Sequence, residues 1–218
     1  MRKTLTETQA KKAQKLIDAT QFLFSNKDFG IQQLSFNKFW VVGDVLRNLL
    51  LQDNPYIHNY SYYLQLFKRE ELDNWVAQLR EHNIPCFVTE NRVDNGLFYK
   101  DVWATVSFSL LEFGIEHEFE VFVGYDTPQN FIEKLFPVNV SQLGLDVFKM
   151  NLADFSVEKV PATVWESQSF DEAMNDKQIK LTRESIKENT DLYEQVMAPY
   201  LNRAYETLKS GGFVLTEG

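Results

Sequence analysis

The sequence predicts a mixed α/β domain of the α+β class, a small mixed sheet flanked by helices, with an N-terminal helix and a helical C-terminal extension. Three observations predict it. The apolar run Phe39 to Val42 stops at Gly43, and a helix-periodic segment from Val45 to Leu51 follows at once. Residues 69–82 place Leu72, Trp75, Val76 and Leu79 on one helical face with charges opposite. Trp103 to Phe113 and Glu116 to Gly124 both alternate, with Gly114 between them, which predicts a hairpin. Accordingly, 1–30 is read as an N-terminal helix, 31–155 as the central domain and 156–218 as the extension.

In chain order, residues 4–25 predict a helix. Thr4 and Glu7 stand at capping-box spacing, and Leu16, Ala19, Phe22 and Leu23 recur at helical intervals. Asn26 to Asn37 is mixed, with a turn at Phe29-Gly30. The opening strand and helix end at a polar break, Asp53-Asn54-Pro55, and an aromatic-rich strand follows from Tyr56 to Leu64. Asn83-Ile84-Pro85 ends the 69–82 helix, Cys86 to Thr89 reads as a strand and Asn91 to Gly96 as a loop. Thr127 to Lys134 predicts a short helix. Phe136 to Ser141 predicts a loop or short extended piece that Leu143 to Asn151 continues, and Asp154 to Ser169 is irregular. Phe170 to Lys209 reads as charged and helical in two parts, with one apolar stripe (Ile186, Tyr193, Met197, Tyr200, Leu201, Ala204, Leu208). Pro199 predicts a kink or break in it, and Ser210-Gly211-Gly212 ends it.

Composition narrows the function classes. The formal net charge is −9, and such an acidic balance counts against a general nucleic-acid binder, whose affinity rests on Lys and Arg neutralising phosphates. No apolar run is long enough to span a membrane, and the charged start MRKTLTETQAKKAQ lacks the apolar stretch of a signal peptide. A cytoplasmic location is expected. The single cysteine, Cys86, excludes an internal disulfide and a multi-cysteine zinc site, and reads as a core residue. His58, His82 and His117 show no metal-ligand spacing. In the second hairpin strand Glu116, Glu118 and Glu120 share one face, opposite His117, Phe119 and Val121. That row is either a solvated face or a carboxylate row looking into a cleft.

Two stretches resemble the head domain of the tRNA nucleotidyltransferase and bacterial poly(A) polymerase family, within the polymerase-beta-like nucleotidyltransferases. Gly43-Asp44-Val45-Leu46-Arg47-Asn48-Leu49-Leu50-Leu51 is similar to the family's glycine turn and Arg-bearing helix. Phe136-Pro137-Val138-Asn139-Val140-Ser141 is similar to its later Arg-Arg-Asp-Phe-Thr-Ile-Asn segment. The helix, strand and hairpin between them follow the family's order, over roughly residues 38–150. The resemblance implies a nucleotidyltransferase-like sheet and a nucleotide contact through Gly43, Asp44, Arg47, Lys134 and Asn139.

It also implies an altered chemistry. The family holds two Mg²⁺ ions with an Asp-x-Asp and a third Asp or Glu, hard oxygen ligands that activate the attacking hydroxyl and neutralise the triphosphate. Here Asn59 and Ser61 stand at the two Asp positions, and the register one residue earlier supplies only His58 and Tyr60. The third position survives as Glu118 or Glu120, so Glu120 is the one metal ligand implied. Asp44 replaces the second turn glycine and would repel a phosphate, and Glu133-Lys134-Leu135 keeps one cation of the Arg-Arg-Asp.

The expected function is therefore that of a catalytically degenerate nucleotidyltransferase-fold protein that binds a protein partner or a nucleotide, as an inhibitor or accessory subunit of phage or mobile-element type. No cofactor is expected. One alternative is an active, atypical transferase of NMP to RNA, protein or a small molecule, with Mg²⁺ held by Glu118, Glu120 and Asp44 or Asp53. Another is an unrelated protein-interaction domain.

Overall fold

The computed structural model describes residues 2–52, 59–90, 102–112, 115–150, 157–182, 194 and 197–216. The predicted strand–turn–helix–strand is present. β2 (Phe36–Val42) leads through Gly43 into α2 (Asp44–Leu51), and β3 (Asn59–Leu66) follows. Next come α3 (Glu70–Glu81), β4 (Cys86–Glu90), the hairpin β5 (Val102–Glu112) and β6 (Ile115–Gly124), and α4 (Pro128–Leu135). Thr127 caps α4 by accepting the Asn130 N–H, with Pro128 pre-set at the first helical position.

Ahead of these lie β1 (Arg2–Thr4) and α1 (Glu7–Ser25); after them come β7 (Leu143–Met150), β8 (Val157–Glu166) and α5 (Gln168–Asp176). The chain closes with β9 (Gln178–Ile179), α6 (Ala198–Leu208) and β10 (Val214–Leu215). Eight strands form one sheet in the order β1-β8-β7-β2-β3-β6-β5-β4, and β10 pairs with β9 in a separate two-stranded sheet. In the large sheet every pairing is antiparallel except β3 with β6.

Three expectations are corrected. The first helix begins at Glu7, and its capping box is Thr6 with Gln9, because residues 2–4 are drawn into the sheet against β8. The segment read as irregular, Asp154 to Ser169, contains the strand β8 and the start of α5, so the C-terminal region contributes to the sheet as well as to helices. Leu143 to Met150 is a full sheet strand, laid between β2 and β8. Pro199 lies in the first turn of α6, where its missing N–H is not needed, and most of the stripe ahead of it lies outside the described residues. Asp53, Tyr56, His58, the Asn91–Gly96 loop, Gly114, Ile186 and Tyr193 lie outside the described residues.

Alternation along the strands sorts the core onto two faces. On one face Phe39, Val41, Tyr62, Leu64, Val106 and Val121 meet Leu16 and Leu23 of α1 and Trp75 and Leu79 of α3. On the other Trp40, Val42, Tyr63 and Phe122 meet Phe131 and Ile132 of α4. Tyr63 stacks on Phe131 with ring centroids 4.0 Å apart. Gly144 of β7 permits this approach, since a Cβ there would lie 2.6 Å from Ile132 and 2.7 Å from Trp40. The C-terminal segment adds a core of its own, with Val138 and Val140 against Ile179, Leu201, Ala204 and Leu208.

Candidate functional site

α4 covers only part of its face of the sheet. The adjoining part, towards β4, is an open cleft of about 410 Å³ whose lining includes Asn59, Ser61, Phe87, Ser107, Ser109, Glu118 and Glu120. Strand register explains the arrangement. Phe87 lies opposite Ser107, Ser107 opposite Glu120, and Glu120 opposite Ser61, so four strands contribute one cross-strand row. Two residues along, Ser109, Glu118 and Asn59 form a second row on the same face. The four positions picked from the sequence, Asn59, Ser61, Glu118 and Glu120, are thus brought together. Glu118 and Glu120 of the β6 carboxylate row both line the cleft and meet solvent.

Ser61 donates a hydrogen bond to the Glu120 carboxylate. The protein packed around that carboxylate nevertheless raises its pKa, because burial penalises the charged form more than the Ser61 bond favours it. The side chain still reaches solvent at the cleft mouth. No Lys or Arg stands among the described lining residues to offset the two negative charges.

This donor set does not suit a two-Mg²⁺ centre. Glu118 and Glu120 are carboxylates, but Asn59 and Ser61 supply neutral oxygens, and two metal ions held about 3.5–4 Å apart need more anionic charge than two carboxylates carry. Among the described residues no three His, Cys, Asp or Glu side chains are grouped so as to hold a metal ion.

The glycine turn lies at the same end of the sheet, since Val41 pairs with Tyr62 one residue from Ser61. Gly43 has φ 76° and ψ −153°, a conformation essentially restricted to glycine, and a Cβ there would stand 3.0 Å from the Phe136 ring. Asp44 begins α2, and its Oδ1 accepts from Arg47 Nη1 at 2.9 Å, Ser141 Oγ at 2.6 Å and Tyr200 Oη at 2.7 Å. Arg47 is 2 % exposed and also donates to Ser141 at 3.1 Å and, through Nε, to Asn48 at 3.0 Å. Burial, and then the Asp44 charge, push the Tyr200 hydroxyl well above its ordinary pKa, so it stays a donor.

None of Gly43, Asp44 and Arg47 lines the cleft. Nor do Lys134 and Asn139. Lys134 Nζ lies 3.5 Å from the Asp126 carboxylate. Asn139 is fully buried; its oxygen accepts from the Val140 and Lys180 N–H groups, and its amide donates to the Gln178 carbonyl at 2.9 Å. Arg47 and Asn139 therefore spend their polar atoms inside the chain.

Sequence reasoning missed Phe87, Ser107, Ser109, Ser141 and Tyr200. The alternation of β5 was signal enough for the two cleft serines, which fall on its polar face. Phe87 carried no signal, because an aromatic residue in a short strand reads as core, yet it is 78 % exposed.

No protein-family model and no curated protein matches the sequence. Solved structures do match in shape. A CCA-adding enzyme in complex with CTP is 14% identical with a TM-score of 0.52, covering 99% of this chain and 44% of its own. The same type of enzyme with ATP is 12% identical with a TM-score of 0.51, covering 100% and 44%. An apo form is 14% identical with a TM-score of 0.52, covering 99% and 43%. The chain thus spans less than half the length of the structures it matches, and what it shares with these CCA-adding enzymes is a nucleotidyltransferase-like fold.

Proposed function

We propose that this chain is a nucleotidyltransferase-fold protein that has lost two-metal catalysis and acts by binding a protein partner, as an accessory subunit or inhibitor. One observation carries the reading: Asn59 and Ser61 lie beside Glu118 and Glu120 in the cleft, neutral where the resemblance calls for aspartates. A triphosphate brought to this cleft would meet two carboxylates and no described cation, and the repulsion is unrelieved unless metal ions bind. The neighbouring positions agree. The resemblance sets Asp44 at the family's second turn glycine, and Arg47 is committed to Asp44.

Isothermal titration with Mg²⁺ and each NTP is the test, and no tight metal-dependent binding is expected. Micromolar binding of Mg·NTP would overturn the reading. The converse variant sharpens it: Asn59→Asp with Ser61→Asp supplies the two missing carboxylates and is expected to gain Mn²⁺ binding that the parent lacks.

A second reading is favoured by the cleft itself. Glu118, Glu120, Asn59 and Ser61 place oxygen donors side by side, a set that an atypical Mg²⁺-dependent transferase would use. It requires labelled nucleotide transfer to RNA, protein or a small molecule that Glu120→Gln abolishes; unchanged transfer in that variant removes the assignment.

A further inference from the structure

The cleft has a polarity that metal chemistry leaves unexplained: acid on one side, an exposed aromatic ring on the other, and small hydroxyls between. Phe87 is 78 % exposed, the most exposed of the large apolar side chains described. Across β5 from it stand Glu120 and, two residues along, Glu118, with Ser107 and Ser109 as the floor. Neighbouring strands are about 4.8 Å apart, so ring and carboxylates rise from backbones roughly 10 Å from one another. That span suits an extended side chain with an aliphatic stem and a cationic head.

We propose that this cleft docks a polypeptide segment presenting an arginine or lysine next to an apolar residue, the cation against Glu118 and Glu120 and the apolar group against Phe87. The proposal rests on the partner-binding reading above and names the partner's chemistry. Charge complementarity decides the occupant. The described lining holds two carboxylates and no cation, on a chain of net charge −9, so a cationic segment is attracted and an acidic or phosphate-bearing ligand is repelled. A guanidinium suits the site in two ways, since it pairs with carboxylates in a planar fork and lies over an aromatic face. The serines let the segment approach the sheet closely and offer hydroxyls to its backbone.

The test is fluorescence anisotropy with a labelled peptide of repeating Leu-Arg-Gly units and a Leu-Gln-Gly counterpart. The arginine peptide is expected to bind and the glutamine peptide not to. Glu118→Gln with Glu120→Gln should weaken binding at least ten-fold, and Phe87→Ala several-fold. Glu70→Gln with Glu81→Gln removes the same charge from α3, outside the cleft, and should leave the affinity unchanged. Equal losses from the two double variants, or displacement of the peptide by equimolar spermidine, would overturn the proposal by reducing it to bulk charge attraction. Absence of peptide binding overturns it too, and a parallel Mg·ATP titration then separates the cases. If Mg·ATP also fails to bind, the metal-independent reading survives the loss of this partner; if Mg·ATP binds tightly, both fall.

Discussion

The cluster around Asp44 and the cleft around Glu120 are both polar and lie towards the same end of one sheet, yet they are built on opposite terms. At Asp44 three donors from α2, the turn before β7 and α6 converge on one oxygen, and Arg47 is sealed beneath them. At Glu120 a single described side-chain bond, from Ser61, serves a carboxylate that opens to solvent. A polar group whose partners all belong to its own chain holds the fold together; one left facing outward has capacity for something else. The distinction matters because both regions were candidate binding positions from the sequence, and of the two the second lines the described cleft while Asp44 and Arg47 do not.

Substitutions can break this contrast or sharpen it. Asp44→Ala should have the largest effect, about 3–5 kcal/mol lost in denaturant unfolding, because it leaves Arg47 buried without its carboxylate. A loss below 1 kcal/mol would erase the difference between the two regions. Tyr200→Phe removes one charge-assisted bond and should cost about 1.5–3 kcal/mol. It should also change the alkaline limb of the stability profile. The folded state holds the Tyr200 proton above the pH at which the unfolded chain releases it, near about 10. The stabilisation is therefore intact below that pH and is lost as pH climbs towards the raised folded value, and the phenylalanine variant lacks this component.

Gly43→Ala, at the join between the two regions, should cost about 1–3 kcal/mol through its positive φ, with the Phe136 contact adding to it. The smallest effect is expected for Glu118→Gln with Glu120→Gln, within about 0.5 kcal/mol of the parent. Its sign follows from the raised Glu120 pKa. The parent is most stable with Glu120 protonated and loses that increment as pH rises through the folded value, so the amide variant should show a flatter profile across the carboxylate range. A marked loss of stability would instead place Glu118 and Glu120 among the groups that hold the fold.

Most of the central order was legible, because each element from β2 to α4 carries its own period and its own stop signal. α3 shows an apolar face closed by Asn83, and β5 and β6 alternate on either side of a turn. The misses have a common physical origin. β8 reads VEKVPATVWE, with a proline inside and charges at both ends, and becomes a strand because β7 and β1 supply partners that no local window contains. Thr4 and Thr6 offer equally good capping boxes, and the pairing of residues 2–4 with β8 decides between them. The candidate site divides in the same way. The Asn59, Ser61, Glu118 and Glu120 group follows from alternation plus a resemblance, whereas Ser141 and Tyr200 reach Asp44 across 97 and 156 residues, with nothing in either neighbourhood to announce it.

That dependence on distant partners bears on how the chain is made. Arg2 pairs with Trp165, so β1, the first strand of its sheet in chain order, waits for the last, β8, before its backbone can be satisfied. At translation rates of about 5–20 residues per second the wait is on the order of 10–30 s, long compared with the closure of the β5–β6 hairpin in about 1–10 μs. The sheet should therefore assemble from the β3–β6–β5 group outward, with β1 locking last. In pulsed hydrogen exchange during refolding, the amides of residues 2–4 are expected to gain protection after those of β5 and β6.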